Sequence, residues 1–208
     1  MIIMLAELPI DHRSRFNQHA THCHAKICCM HADTILHFWF TELTDKQHFT
    51  KDAALDALIG ERFGAVLEAG ARSELWQWRG TSAGRLAEII VLDQFSRNVW
   101  RDTPRAFAQD ALALALAQEL VARGDHAQLS TDQRYFAYMP YMHSESLAVH
   151  AEALRLFTQP GLENALHFEE RHQAIIQRFG RYPHRNAILG RESTAEEVAF
   201  LQQPGAGF

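Results

Sequence analysis

The chain has no surplus of basic charge: 20 Lys and Arg stand against 25 Asp and Glu, a formal net charge of −5. Broad, unspecific binding of nucleic acid needs a basic surface, so no nucleic-acid partner is expected. No apolar run approaches the roughly 20 residues that a membrane-spanning helix needs. The stretch Met1–Ile10 is apolar but is interrupted by Glu7 and Pro9, and it lacks a basic leader or a small-residue cleavage site. It is a poor signal peptide, so the reading is a cytoplasmic protein with no membrane partner. There is no Gly-x-x-x-x-Gly-Lys to cradle a phosphate, no serine elbow and no paired-cysteine catalytic motif. Few segments alternate with period two, which argues against strands. Cysteine is confined to Cys23, Cys28 and Cys29, beside His19, His22, His24 and His31. Thiolate and imidazole are zinc ligands, but the spacing matches no paired zinc knuckle. Residues 1–30 are therefore read as a poorly ordered polar extension, and 31–208 as one domain.

Hydrophobic content of 47% and charged content of 22% are ordinary for a soluble domain, and 208 residues suffice to bury a substantial core. Apolar residues recur at helical spacing. Asp33 is placed to cap a helix through Phe40 to about Glu42. Asp52 to Ala71 carries Leu55, Leu58, Ile59, Phe63, Val66 and Leu67 as a helical stripe ending at Gly70. Ser82 to Asn98 leaves no wide polar face and should be the most buried helix. Pro104 starts a helix that Gly124 stops. Further helices are expected from Thr131 or Asp132 to Pro140, from Ser144 to Phe157, and from Asn164 to Phe179. The last helix comes after a doubled capping box, Ser193 with Glu196 or Thr194 with Glu197. The expectation is a single all-α domain of about eight helices.

Several phrases carry a family likeness: Ile35-Leu-His-Phe-Trp-Phe40, Leu92-Asp-Gln-Phe-Ser-Arg-Asn98, Thr103-Pro-Arg-Ala-Phe-Ala-Gln-Asp110, Met139-Pro-Tyr-Met-His-Ser-Glu145 and Phe179-Gly-Arg-Tyr-Pro-His-Arg-Asn-Ala-Ile-Leu-Gly-Arg191. Together they resemble the uncharacterised bacterial domain-of-unknown-function family nine-two-four, from about Thr34 onwards. The resemblance implies an all-α fold grouped with tetratricopeptide-like superhelices, or a compact helical array where no repeat is legible. It implies no activity and no cofactor. Ser96 stands where a proline is usual, which implies a straighter helix.

The polar residues of these phrases are the candidate site. Asp93 and Arg97 lie four apart on a helix with little polar face, so they must pair or line a cavity. His143 and Glu145 come after Pro140 and could supply an acid and a base, or metal ligands with His172 and His184; as Ser144 caps a helix, Glu145 would sit at its positive end. His172 shares a stripe with Phe168, Ile175 and Phe179 and should face inwards. The loop from Phe179 to Glu197 gathers Arg181, His184, Arg185, Asn186 and Arg191, planar forks and amides suited to carboxylate or phosphate. The first reading is a pocket for a small anionic molecule. In it Arg97, Asn98, Arg181, Arg185, Asn186 and Arg191 hold the ligand, while His143, Glu145, His184 and Asp93 move protons; no metal is assigned. The second is a helical module with a protein partner, its groove lined by Trp76, Trp78 and Trp100, and the charged motifs buried as ion pairs.

Met30 precedes the first convincing helix and is read as the native start. Intact-mass measurement of the native protein should place the first residue there, and a mass that includes Met1 to Cys29 contradicts this.

Overall fold

The computed structural model describes residues 30–205, and every regular element among them is helical. The cysteine–histidine stretch and its reading as a poorly ordered extension lie outside these residues. In chain order the α-helices are α1 (Ala32–His37), α2 (Asp45–Phe49), α3 (Ala53–Ala71), α4 (Ser82–Ile90), α5 (Asp110–Ala122), α6 (Thr131–Met142), α7 (Leu147–Phe157), α8 (Glu163–Phe179) and α9 (Ala195–Leu201). A π-helical turn, Phe38–Glu42, extends α1. Another, Val91–Phe95, carries α4 into a last α turn, Ser96–Val99.

The packing is dictated by α4. Leu86, Ala87, Ile89, Ile90, Val91, Leu92 and Phe95 are all fully buried, so this helix needs cover on every side. Burying each large aliphatic or aromatic side chain contributes roughly 1.5–3 kcal/mol. From before in the sequence α1 covers it and α3 covers the π turn and last turn that continue it; α5 and α6 cover it from after. One helix touched by so many others is a compact array. The chain is a single all-α domain, and no helix among the described residues is long and apolar enough to cross a membrane.

Local chemistry explains most boundaries and corrects some. Asp52 caps α3 through hydrogen bonds from Ala54 N–H and Leu55 N–H. Asp33 lies inside α1, whose cap position is His31. Pro104 opens only a 3₁₀ turn, Pro104–Phe107, and α5 begins afresh at Asp110. Pro140 does not end α6, which continues to Met142. Of the two capping boxes before the last helix, Thr194 with Glu197 forms. Just before Ser96 the helix passes through the π turn. A π turn inserts one residue into the helical register, which rotates Asp93 and the residues after it relative to Leu86.

Gly84 marks the closest approach in this core. A Cβ there would lie 2.1 Å from the carbonyl oxygen of Trp78, a backbone atom with little freedom to retreat. Gly84→Ala should lose about 2 kcal/mol or more of stability. Gly64→Ala, on α3 where a Cβ meets nothing within 4 Å, should gain about 0.5–1 kcal/mol. Chemical denaturation of both variants checks the pair; equal midpoints contradict this account of α4.

A candidate acid–base and anion site at the end of helix α6

A helix leaves its last carbonyls without intrahelical donors. At the end of α6, three consecutive carbonyls are taken by side chains from distant segments. Tyr182 Oη–H donates to Met142 O at 2.5 Å, Arg185 Nη2 to His143 O at 3.0 Å, and His150 Nε2 to Ser144 O at 2.9 Å. These bonds hold His143 against α4, where its Nδ1 meets Asp93 Oδ1 at 2.8 Å. Asp93 is wholly buried and also accepts from Gln94 Nε2 at 2.5 Å. An ionised carboxylate only accepts, so Nδ1 carries the proton and Nε2 the lone pair. Nε2 has no partner among the described residues, and the side chain keeps 13% of its surface exposed.

Arginines surround this dyad. Arg97 lies 3.0 Å from Asp93 Oδ1 and grips Asp110 with both ends of its fork, at 2.9 and 3.0 Å. Arg185 reaches the same Asp110 through one contact at 3.2 Å, and its buried Nε has no partner. The Phe107 ring, from the 3₁₀ turn before α5, lies 4.6 Å from the Arg185 guanidinium and 5.7 Å from that of Arg97. Arg191 holds Glu145 at 2.7 and 3.0 Å, and Glu145 also accepts from Tyr182 N–H at 2.8 Å. Glu145 therefore belongs to the loop contacts; α7 begins later, at Leu147. His184 stands beside Tyr182, ring centroids 5.6 Å apart.

Not every predicted site residue joins this group. Asn98 turns to Asp56 on α3 at 2.8 Å, alongside the Arg101–Asp56 pair. Arg181 grips Glu197 at 2.6 and 2.8 Å and fastens α9. Asn186 donates to Ser193 Oγ at 3.0 Å. The cluster proper is Asp93, Arg97, His143, Glu145, His184, Arg185 and Arg191. Tyr182, His150 and Glu169 complete it without having been singled out from the sequence. Glu169 Oε1 meets His150 Nδ1 at 2.6 Å, and both side chains are wholly buried. A readable signal did exist. Glu169 lies on a buried stripe with Ala165, His172 and Ile176, and His150 on one with Ala153 and Phe157. Polar groups on the inward stripes of consecutive helices each need a buried partner, and pairing with one another can supply it.

Burial would raise the Asp93 carboxyl, but Arg97 and the His143 contact outweigh it and hold the group well below the usual carboxylate range. Burial and the Arg97 charge push His143 down, so the imidazole is neutral at pH 7. Burial and the Arg97 charge also lower Arg185. Burial is the main cause that takes His184 from 6.5 to about 4. It likewise takes His172 from 6.5 to about 3. Among the described residues no group of three or more His, Cys, Asp or Glu is arranged to hold a metal.

A groove of about 590 Å³ lies elsewhere, lined by Phe40, His48, Phe49, Tyr135 and Phe136 among others, and shares no residue with the cluster. Of the tryptophans expected to line a groove, Trp76 is exposed, whereas Trp78 and Trp100 pack on the core. Arg105 lies over the Trp100 ring at 3.8 Å.

A family model described as bacterial protein of unknown function (DUF924) matches residues 35–205, which include the whole cluster. The chain belongs to that family. A solved structure of a protein of unknown function from Agrobacterium tumefaciens is also similar, with 40% identity and a TM-score of 0.79, covering 83% of this chain and 97% of that one. None of the curated proteins matches. The solved structure supports the fold described above, and DUF924 membership assigns no chemistry to the cluster.

The lowered histidines set a pH dependence. As pH falls below about 6.5, the unfolded chain binds protons that folded His184 and His172 refuse until about 4 and about 3. The unfolded state then holds more protons, so stability falls with pH. Denaturation midpoints should drop steadily from pH 7 to pH 5, and a flat profile over that range contradicts the burial of these imidazoles.

Proposed function

We propose that the protein is cytoplasmic and binds or acts on a small anion carrying a carboxylate or phosphate at the end of α6. One observation carries this reading. Arg185, 7% exposed, has donors to spare beside an imidazole that a buried carboxylate orients. Arg97 and Arg185 share Asp110, and Arg185 has the weaker share, one contact at 3.2 Å against the two that Arg97 makes. An incoming anion would relieve the crowding of two guanidiniums and occupy the unused Nε–H, as a planar fork favours. Such a ligand would lie near His143 Nε2, whose lone pair takes a proton that Asp93 stabilises from behind. His184 and the Glu145–Arg191 pair form the adjoining wall.

A second reading rests on a different observation: Arg181, Arg185 and Arg191 of the closing loop each already have a carboxylate. Arg181 holds Glu197, Arg185 holds Asp110 and Arg191 holds Glu145. In that reading the charges staple helices together, and the protein is an interaction module that meets a protein partner elsewhere on its surface. Breaking a buried pair destabilises whichever reading holds, so stability alone does not separate them.

Thermal shift with inorganic phosphate, citrate and malonate, each against chloride at equal ionic strength, separates them. The anion reading predicts a saturable rise in melting temperature for at least one, since a ligand at 100 times its Kd adds about 2.7 kcal/mol. Arg185→Lys, which keeps the charge and loses the fork, should weaken that binding about tenfold or more, and His143→Ala should also weaken it. Equal shifts in all three proteins, or none, favour the staple.

A further inference from the structure

The buried contact between His150 and Glu169 demands a proton. Ser144 O can only accept, so the nitrogen facing it at 2.9 Å, Nε2, carries a hydrogen. The other nitrogen lies 2.6 Å from Glu169 Oε1, with both side chains wholly buried. That contact is stable only with a hydrogen between the two atoms, either on Nδ1 facing a carboxylate or on the carboxyl facing a lone pair. In both forms the pair is neutral overall and holds one proton more than imidazole and carboxylate together.

We infer that Glu169, His150 and Tyr182 form a proton-operated clasp that positions His143. The inference rests on the anion-site reading for its functional meaning, though not for its chemistry. When the extra proton leaves to solvent, the imidazole keeps one hydrogen and a buried carboxylate faces it. The hydrogen moves to Nδ1 and bonds Glu169, which leaves Nε2 a lone pair. Ser144 O then loses its donor. Tyr182 Oη lies 3.2 Å from Nε2 and turns its hydrogen from Met142 O to that lone pair. Two of the three side-chain bonds that hold the end of α6 are lost together, on either side of His143. Only the Arg185 bond to His143 O remains. His143 is then free to draw away from Asp93. His150 and Tyr182 act through His143 and are positioning residues.

The groups packed around this clasp bear on it from several elements. Burial raises the Glu169 carboxyl, and the neighbouring His150 only partly offsets it. His172 from α8 packs its ring 5.7 Å from that of Tyr182, and burial holds that imidazole neutral. Arg185 from the closing loop, Glu145 from the segment between α6 and α7, and Arg97 from the Ser96–Val99 turn act on Tyr182, whose hydroxyl burial pushes above the usual phenol range. His143 and Asp93 stay neutral and ionised respectively above neutral pH.

The test is the imidazole proton–nitrogen spectrum of His143 from pH 6.5 to pH 10, with and without sulfate, which stays a dianion throughout. In the wild type the His143 signals should move on the alkaline side, and sulfate binding should weaken severalfold. Glu169→Gln supplies an amide N–H to Nδ1 without a titratable proton, so its His143 signals and sulfate affinity should stay constant. Tyr182→Phe removes the switching hydroxyl and one of the two bonds, so its His143 signals should start part-way toward the alkaline position at pH 6.5 and move less above it. Wild-type signals that stay still to pH 10, or that move equally in Glu169→Gln, overturn the clasp. If the signals move as expected but sulfate binds none of the proteins, the clasp stands and the anion reading falls.

Discussion

The end of α6 is where side chains from three distant segments converge on one stretch of backbone. Its carbonyls point into the protein, and each unsatisfied one would cost roughly 1–3 kcal/mol. Tyr182, Arg185 and His150 satisfy three in a row, and each brings its own obligation. Arg185 needs Asp110, His150 needs Glu169, and Tyr182 hands its main-chain N–H to Glu145. The loop after α8, helix α7 and helix α8 are therefore tied to one turn of backbone. His143 lies in the middle of that turn.

The same constraint explains why buried charge is tolerated so close to the core. Asp93, Asp110 and Glu145 face Arg97, Arg185 and Arg191, so the cluster is balanced in sign. Balance in number is not balance in geometry. Arg97 and Arg191 each hold a carboxylate with both ends of the fork, whereas Arg185 shares one through a single contact. Arg185 and Arg191 both keep a buried Nε–H without a partner, but only Arg185 combines it with an incomplete carboxylate contact. The π turn at Val91–Phe95 adds to this, because it places Asp93 where His143 can reach it while the apolar side chains around it stay buried.

The helices were legible in the sequence because apolar spacing and capping residues report local energetics directly. Asp52, Gly124 and Gly180 stand at the helix ends expected of them, the two glycines with φ of 72° and 69°. Features outside local energetics were missed. Neither π turn can be derived from propensity, and α2, five residues with no buried side chain, has no apolar stripe and only its Thr44–Gln47 capping box to announce it. In the cluster, Asp93, Arg97, His143, Glu145, Arg185 and Arg191 were legible as polar residues in improbable surroundings. Asn98 and Arg181 look the same in sequence and were separated only by partners far along the chain, Asp56 and Glu197. His150 and Glu169 were passed over because each seems ordinary alone, and their meaning lies in the pair.

The central claim is that Arg185, the closing-loop arginine with the least complete carboxylate contact, has bonding capacity left for an anion beside the His143 turn. Arginine Nε–H spectra during an inorganic phosphate titration test it most directly. The Arg185 Nε–H signal should move saturably with phosphate, while that of Arg181, already bonded to Glu197 at 2.6 Å, stays in place. An Arg185 signal that stays still at saturating phosphate, or that moves no more than that of Arg181, contradicts the claim.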